Sequence, residues 1–268
     1  MPDGLGIVAA PGTQALIGWL PRLVSPGRPV SILGPTYAEH RLAWRAAGHD
    51  PQEVRELGRL PPGGHVVVVN PNNPDGRIVP PADLLRVAER CRRAGTCLVV
   101  DESFADVAPD ASLVPSLADA PAIVLRSFGK FYGLAGLRLG FAIARPDIAD
   151  GIARALGPWS VSGPALAAGR AALDDAAWAD EMRARLAAET GELDDVLNGA
   201  GLRVVGGTNL FRLAEADGAK AVHAGLVRAR VWVRRFAERP GVLRFGLPPD
   251  RAGLDRLRGA LGRADRAG

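Results

Sequence analysis

The chain has 268 residues, 47% of them hydrophobic and 23% charged, as in an ordinary soluble globular protein, and no window reaches the ~18 uninterrupted apolar residues of a membrane span. Its two cysteines, Cys91 and Cys97, fit neither a disulfide framework nor a zinc pattern, and the proline-broken N-terminus is a poor signal peptide, so we expect a cytoplasmic protein. The net charge of +4 comes from arginines spread along the whole chain, which speaks against a nucleic-acid-binding stripe and suits an anionic small substrate.

The first half of the sequence alternates short buried strands with amphipathic helices. After a strand-like Leu5–Ala9, the predicted strands are Val30–Leu33, Val66–Val69, Cys97–Val100, Ile123–Leu125 and Leu139–Ile143. Helical spacing predicts helices at Thr13–Leu23, Tyr37–Ala47 and Pro81–Ala94, the last of which starts with prolines and stops at Gly95. This alternation predicts a mainly parallel sheet with helices on both faces, which makes residues 1–150 a three-layer α/β/α large domain.

The second half, residues 151–268, predicts a smaller α+β C-terminal domain. Two long alanine- and charge-rich helices are expected at Ala165–Ala176 and Trp178–Asn198. Short strands are expected at Leu202–Val205, Asn209–Leu213, Val231–Val233 and Val242–Phe245, and a closing helix at Arg251–Ala264. After Asp147 the alternation of short apolar runs and amphipathic stretches gives way to long helical patterns rich in alanine and charged residues. The predicted domain boundary therefore lies between Pro146 and Pro158.

Lys130 is one of only two lysines among 33 basic residues, the other being Lys220. It ends the motif Ser127-Phe128-Gly129-Lys130, and a glycine-rich loop leads from it to Arg138. A chain that avoids lysine yet keeps one there needs an amine, because arginine stays protonated near neutral pH and forms no imine. We expect Lys130 to hold a cofactor as a Schiff base, with Ser127 and Arg138 on its phosphate. A solvated surface lysine is the alternative, which the apolar flanks oppose.

Two other strand ends carry polar residues. Asp101 closes Leu98-Val99-Val100, where its carboxylate can pair with a cofactor ring nitrogen and keep it protonated; a helix cap or a structural ion pair is an even alternative. The run Asn-Pro-Asn-Asn-Pro-Asp-Gly at residues 70–76 makes a rigid turn, and within it Asn73 can donate to a phenolic oxygen.

The remaining candidates precede these in the chain. Gly12 and Thr13 open a helix whose backbone N–H groups and dipole suit a phosphate, and Tyr37 follows the next strand, where it can stack on a planar ring. Each signal is weak alone, because helix starts and packed tyrosines are common. In a parallel sheet, however, all of these segments follow the carboxyl ends of strands, where such folds place their sites.

In this order and spacing, Asn73-Pro74-x-Gly76, Asp101, Ser127-x-x-Lys130 and Arg138 resemble the fold type I pyridoxal-5′-phosphate (PLP) enzymes of the aspartate aminotransferase superfamily, over essentially the whole chain. The resemblance implies a PLP-dependent transferase-like fold and a homodimer. It implies that the phosphate of PLP is bound by Gly12, Thr13, Ser127 and Arg138, and the ring by Tyr37, Asn73, Asp101 and Lys130. It further implies that Arg244, in Leu243-Arg244-Phe245, holds the substrate α-carboxylate.

Within the superfamily the chain is most similar to the histidinol-phosphate aminotransferase branch, whose substrate-phosphate arginine matches Arg234. Four segments most resemble the threonine-phosphate decarboxylases of cobalamin biosynthesis: residues 10–17, 70–77, 101–106 and 127–140. Phe104 stands where the aminotransferases usually have tyrosine, which favours the decarboxylase group. Members of the family carry an N-terminal arm before the segment that matches Leu5–Ala9, and we expect this arm to be missing.

The resemblance implies decarboxylation of L-threonine O-3-phosphate to (R)-1-aminopropan-2-yl phosphate, with Lys130 and Asp101 catalytic, Arg234 and Arg244 on the substrate, and no metal. An aminotransferase for a phosphorylated substrate such as histidinol phosphate is the first alternative, since it would use the same residues. A truncated, catalytically inactive PLP-fold protein is the alternative of another class, which the complete set of Lys130, Asp101 and Arg138 opposes.

Overall fold

The computed structural model describes residues 4–117 and 120–264, which divide into two compact units. The first unit holds the described residues up to Asn73 together with Arg77–Asp175. The second holds Pro74–Gly76 and the described residues from Ala176 onward. The division after Asp175 lies later in the chain than the predicted domain boundary between Pro146 and Pro158. Within the described ranges, no helix has the length and apolar character needed to cross a membrane.

A mixed sheet forms the centre of the first unit. In the described part of the chain it has seven strands: β1 (Gly6–Ala10), β2 (Val30–Leu33), β3 (Pro51–Val54), β4 (His65–Val69), β5 (Leu98–Asp101), β6 (Ala122–Ser127) and β7 (Gly140–Ala144). Their spatial order is β1-β7-β6-β5-β4-β2-β3. Strands β2 to β6 are parallel, and β7 is antiparallel to both β6 and β1, so β1 runs in the same direction as β6. The predicted strands are therefore confirmed, and β3 is added at one edge.

The helices of the first unit are α1 (Thr13–Leu23), α2 (Ala38–Ala46), α3 (Pro81–Ala94), α4 (Pro146–Leu156) and α5 (Gly163–Asp174). Helix α3 begins and ends as its sequence predicts, because Pro81 needs no N–H bond in the first turn and Gly95 adopts the left-handed conformation at φ 64°.

Alternation along the strands gives the sheet two buried faces. On one face, Val99 and Leu125 pack in a cluster with apolar residues of α1, α2 and α4, whereas Val100 and Val124 pack on the other face with residues of α3. Each buried valine or leucine contributes about 1.5–3 kcal/mol. The expected three-layer α/β/α arrangement is confirmed.

The second unit contains α6 (Ala176–Gly199), β8 (Arg203–Thr208), β9 (Phe211–Glu215), α7 (Ala219–Arg228), β10 (Arg234–Arg235), β11 (Val242–Gly246) and α8 (Arg251–Ala264). The strands form an antiparallel sheet in the order β10-β11-β9-β8, so the α+β character is confirmed. The strand predicted at Val231–Val233 is wrong, because pairing with β11 begins only at Arg234. Helix α7 was not predicted, since it is short and has a glycine, Gly225, inside it.

The turn Pro74–Gly76 belongs to the second unit because its backbone packs on strand β8. The N–H of Gly207 donates to the carbonyl of Asp75 at 2.9 Å. A Cβ on Gly76, which has φ 71°, would lie 1.8 Å from the carbonyl oxygen of Gly207. Only glycine fits there, so the glycine of the 70–76 run serves packing and not chemistry.

Candidate active site

One edge of the first unit's sheet collects the candidate residues. Asp101 and Ser127 are the last residues of β5 and β6, and Gly12, Tyr37 and Asn73 lie in the loops after β1, β2 and β4. These strands run in one direction, so their carboxyl ends lie along the same edge. That edge receives all eight residues expected to bind the cofactor: Gly12, Thr13, Tyr37, Asn73, Asp101, Ser127, Lys130 and Arg138.

An anion-binding corner forms where β1, β7 and β6 meet. Gly140, the first residue of β7, pairs with Ala10 of β1 on one side and with Ser127 of β6 on the other. A Cβ on Gly140 would lie 2.6 Å from the backbone nitrogen of Thr13, so the start of α1 packs directly on the strand. A Cβ on Gly12 would lie 2.7 Å from Nη2 of Arg138. The guanidinium and the N-terminus of α1 therefore converge on one small space.

The electrostatics of this corner suit a phosphate. In the described structure no side chain caps the N-terminus of α1, where Gly12 has φ 84°. The positive end of the helix dipole and the Arg138 guanidinium repel each other unless an anion lies between them. A Cβ at residue 12 would collide with the Arg138 guanidinium, so glycine lets this positive group approach the start of the helix. These residues therefore fit the phosphate of a cofactor such as PLP.

The lysine loop begins at this corner. Ser127 is buried and its Oγ accepts a hydrogen bond from the N–H of Gly129 at 3.3 Å. Lys130 is exposed, and its Nζ lies 5.7 Å from the ring centroid of Phe104, which is buried. The Lys130 amine lies beside an aromatic ring and close in sequence to the anion-binding corner. The two can together bind a phosphorylated aldehyde, the amine at the aldehyde and the corner at the phosphate.

Asp101 is held by donors on both of its oxygens. Oδ2 lies 2.9 Å from Nε2 of His40 in α2, and Oδ1 accepts bonds from the N–H of Ser103 at 3.0 Å and from its hydroxyl at 2.5 Å. Because an ionised carboxylate only accepts, Nε2 of His40 is the donor. His40 and Asp101 are 1% and 2% exposed.

These donors decide the charge of the carboxylate. Burial alone raises the pKa of Asp101, but the hydrogen bond and charge of His40 and the two bonds from Ser103 hold it below its ordinary value. Asp101 is therefore ionised at neutral pH, although it is buried. A buried anion at the end of a strand can keep a facing ring nitrogen protonated.

The three asparagines in the turn at residues 70–76 have different roles. Asn70 donates to the carbonyls of Val79 and Ala111 and accepts from the N–H of Val79. Asn72 accepts from the hydroxyl of Thr36 at 2.6 Å and donates to a neighbouring carbonyl. Both amides thus tie loops together, and Asn73, which is half-buried, is the one expected to meet the cofactor.

Tyr37 lies immediately before α2 and is 38% exposed. Its hydroxyl donates weakly to Oε1 of Gln14 at 3.4 Å, and Nε2 of Gln14 donates to Glu39 at 3.0 Å. The first turns of α1 and α2 are therefore connected beside the anion corner, which places the tyrosine ring at the same edge as Asp101.

The sequence interpretation missed His40. It comes three residues after Tyr37, and the two rings lie edge to face with their centroids 6.3 Å apart. The available signal was a single histidine at that spacing behind an aromatic candidate. It was insufficient, because nothing local indicates that residue 40 reaches residue 101.

The expected substrate arginines lie in the second unit, directly opposite each other on two adjacent strands. Arg234 of β10 pairs directly with Arg244 of β11. Burial, and then the positive charge of Arg234, lower the pKa of Arg244. Like charges on opposite residues are unfavourable, and an anionic group between them removes the repulsion. The pair is suited to a carboxylate or a phosphate.

Comparisons with known proteins extend along nearly the whole chain. The sequence matches the aminotransferase class I and II family over residues 5–261. It is 43% identical over 265 residues to a threonine-phosphate decarboxylase from Sinorhizobium sp, which covers 98% of this chain and 79% of that protein. It is also 43% identical to a threonine-phosphate decarboxylase from Pseudomonas aeruginosa, over 93% of this chain and 76% of that protein. A solved structure of histidinol-phosphate aminotransferase from Sinorhizobium meliloti, in complex with pyridoxal-5′-phosphate, aligns with a TM-score of 0.81 at 26% identity, covering 97% of this chain and 77% of that one.

Proposed function

The chain belongs to the aminotransferase class I and II family, and on that premise we propose that it is a PLP-dependent enzyme that decarboxylates L-threonine O-3-phosphate to (R)-1-aminopropan-2-yl phosphate. The observation that carries this proposal is the similarity to threonine-phosphate decarboxylases over nearly the full chain. Its PLP-binding residues are those of the first unit's sheet edge.

PLP, when bound, supplies an electron sink for the electron pair left at Cα when carbon dioxide departs. The phosphate is held by Ser127, Arg138 and the N-terminus of α1 at Gly12 and Thr13, where a converging guanidinium and helix dipole support it. Tyr37 would stack on the ring, and Asn73 would donate to the phenolic oxygen.

Asp101 and Lys130 are the proposed catalytic residues. The carboxylate of Asp101, kept ionised by His40 and Ser103, holds the proton on the ring nitrogen. Lys130 would bind the aldehyde carbon of PLP through its amine, and the same amine would be available to return a proton to Cα of the substrate. Phe104 brings an apolar ring beside this amine and no hydroxyl, so the phenolic oxygen is left to Asn73.

Arg234 and Arg244 are the proposed substrate residues. The facing guanidinium groups of β10 and β11 suit the two anionic ends of phosphothreonine, with Arg234 on the phosphate and Arg244 on the carboxylate. Binding energy from the phosphate, which does not react, helps to orient the bonds at Cα.

A cytoplasmic homodimer acting in cobalamin biosynthesis completes the proposal. The homodimer and the role in cobalamin biosynthesis are implied by the family resemblance, and the cytoplasmic location by two cysteines that fit no disulfide framework.

A phosphate-substrate aminotransferase is the second candidate, favoured by the structural similarity to histidinol-phosphate aminotransferase. The two reactions differ in whether the carboxylate or the proton leaves Cα. They are distinguished by their products, because only the aminotransferase forms glutamate from 2-oxoglutarate.

The test is release of carbon dioxide from O-phospho-L-threonine by purified chain supplied with PLP. Lys130→Ala is expected to abolish release, while Lys220→Ala, in α7 of the second unit, is expected to retain it. Glutamate formation without carbon dioxide would favour the aminotransferase. Equal activity in both lysine variants would refute the assignment of Lys130.

A further inference from the structure

A buried ion network lies behind the candidate site. Nη1 of Arg126 lies 3.2 Å from Oε2 of Glu102, and Nη2 donates to Oδ1 of Asp106. Glu102 also accepts a hydrogen bond from the hydroxyl of Ser112 at 2.7 Å and from the N–H of Leu113 at 2.6 Å. Its side chain is fully buried, and that of Asp106 is nearly so.

Each partner of the Glu102–Arg126 pair is the chain neighbour of a proposed cofactor ligand. Glu102 follows Asp101 at the end of β5, and Arg126 precedes Ser127 at the end of β6. Successive side chains in a strand point to opposite faces. Asp101 accordingly contacts His40 of α2 on one face, while Glu102 contacts Ser112 and Leu113 on the other.

Burying these charged side chains is energetically unfavourable, which indicates a role for the network beyond stabilising the fold. Burial raises the pKa of Glu102 despite the hydrogen bonds from Ser112 and Leu113 and the charge of Arg126. Buried ion pairs of this kind add little net stability, and an apolar pair can replace them at equal or better stability. An apolar pair has no directional contacts, whereas here three donors from two segments, Ser112 with Leu113 and Arg126, converge on the Glu102 carboxylate and hold it in a single position.

We propose that Glu102 and Arg126 are positioning residues that hold the ends of β5 and β6 together, and thereby set the spacing between the ring partner Asp101 and the phosphate-binding Ser127. This inference rests on the proposed PLP binding. Because only a short CH2–O linker joins the ring of PLP to its phosphate, the distance between the ring nitrogen and the phosphate can vary only within narrow limits, and a displacement of one strand end relative to the other weakens the two contacts together.

The experiment compares Arg126→Lys and Glu102→Gln with a matched control, Arg212→Lys. Arg212 is a half-buried arginine that binds Asp194 through two bonds, 2.7 and 3.1 Å long, within the second unit. Lysine cannot reproduce a forked contact in either place. For each variant one measures the dissociation constant of PLP, the visible spectrum of the bound cofactor, kcat/KM for phosphothreonine and the urea midpoint of unfolding.

We expect PLP to bind about tenfold more weakly or worse in both test variants, with an altered spectrum and a loss of kcat/KM of about tenfold to a hundredfold. The control is expected to lower the urea midpoint similarly and to keep wild-type affinity and spectrum. Wild-type PLP affinity and spectrum in both test variants, or an equal loss in the control, would overturn the inference.

A replacement variant and the wild-type chain provide two further tests. If Arg126→Lys does not fold, Ser112→Ala removes one hydrogen bond to Glu102, and a smaller loss of PLP affinity is expected; no loss overturns the inference. A wild-type chain that binds no PLP would refute both the inference and the proposed function. PLP binding without release of carbon dioxide would refute only the proposed reaction and leave the affinity comparison in force.

Discussion

Replacing His40 by phenylalanine tests the link between the buried histidine and the chemistry of Asp101. The substitution keeps an aromatic ring of similar size in α2 and removes the donor that lies 2.9 Å from Oδ2 of Asp101. Oδ1 keeps both of its bonds from Ser103. The change therefore affects one oxygen of one carboxylate and leaves the rest of the site intact.

The expected losses in stability and activity follow from the burial of both side chains. His40 and Asp101 are 1% and 2% exposed, so water cannot replace the lost donor. A hydrogen bond to a charged group contributes about 1.5–3 kcal/mol. We expect His40→Phe to lower the free energy of unfolding by about this amount, and kcat/KM by about tenfold to a hundredfold if the same interaction is needed in the transition state.

The pH dependence has a definite sign. His40 and Ser103 lower the pKa of Asp101 in the folded chain, so the stability they confer is present above the ordinary pKa of the carboxyl and is lost as pH falls through the folded value. Removing His40 raises this pKa. The acid limb of the activity profile should therefore move to higher pH, and the stability gap to the wild type should shrink in acid.

The measurements are urea unfolding and kcat/KM against pH for wild type, His40→Phe, His40→Gln and His65→Phe. Glutamine retains a donor and should recover part of both losses. His65 is a buried histidine that contacts Trp44 and Cys97, so its replacement costs stability and leaves the acid limb in place. The proposed effect of His40 on Asp101 is refuted if the unfolding free energy of His40→Phe stays within about 0.5 kcal/mol of the wild-type value, or if its pH profile matches that of His65→Phe.

Three other outcomes are expected. Gly140→Ala should cost about 1–3 kcal/mol of stability and weaken PLP binding, because the new Cβ meets the backbone nitrogen of Thr13 at 2.6 Å; unchanged PLP affinity would refute the anion corner. Burial raises the pKa of Cys97 to about 12 and also raises that of Cys91, so at pH 8 neither thiol should react with a thiol reagent until urea unfolds the chain; rapid labelling of the native chain would contradict this. Arg244→Leu should lower kcat/KM for phosphothreonine roughly thirtyfold or more while PLP affinity stays at the wild-type value, which separates substrate binding from cofactor binding.

Most of the first unit could be predicted because buried parallel strands must be continuously apolar. The runs at Val66–Val69 and Ile123–Leu125 lie within β4 and β6, and proline and glycine bounded α3 as expected. Strand β3 was missed because its sequence, Pro-Gln-Glu-Val, has no such run. An edge strand has one neighbour and needs less apolar surface, so its pairing depends on β2 and not on its own residues.

The sequence by itself determined the strand and helix pattern, the family resemblance and the eight candidate cofactor residues, since these depend on local periodicity and on motifs of a few residues. Only the tertiary structure decided which neighbours act on them. His40 meets Asp101 across 61 positions, and Arg126 meets Glu102 across 24. Such contacts arise from strand order and from the face on which each side chain falls, and a linear pattern records neither. The charge of Asp101 and the proposed spacing of the site are therefore properties of the folded sheet.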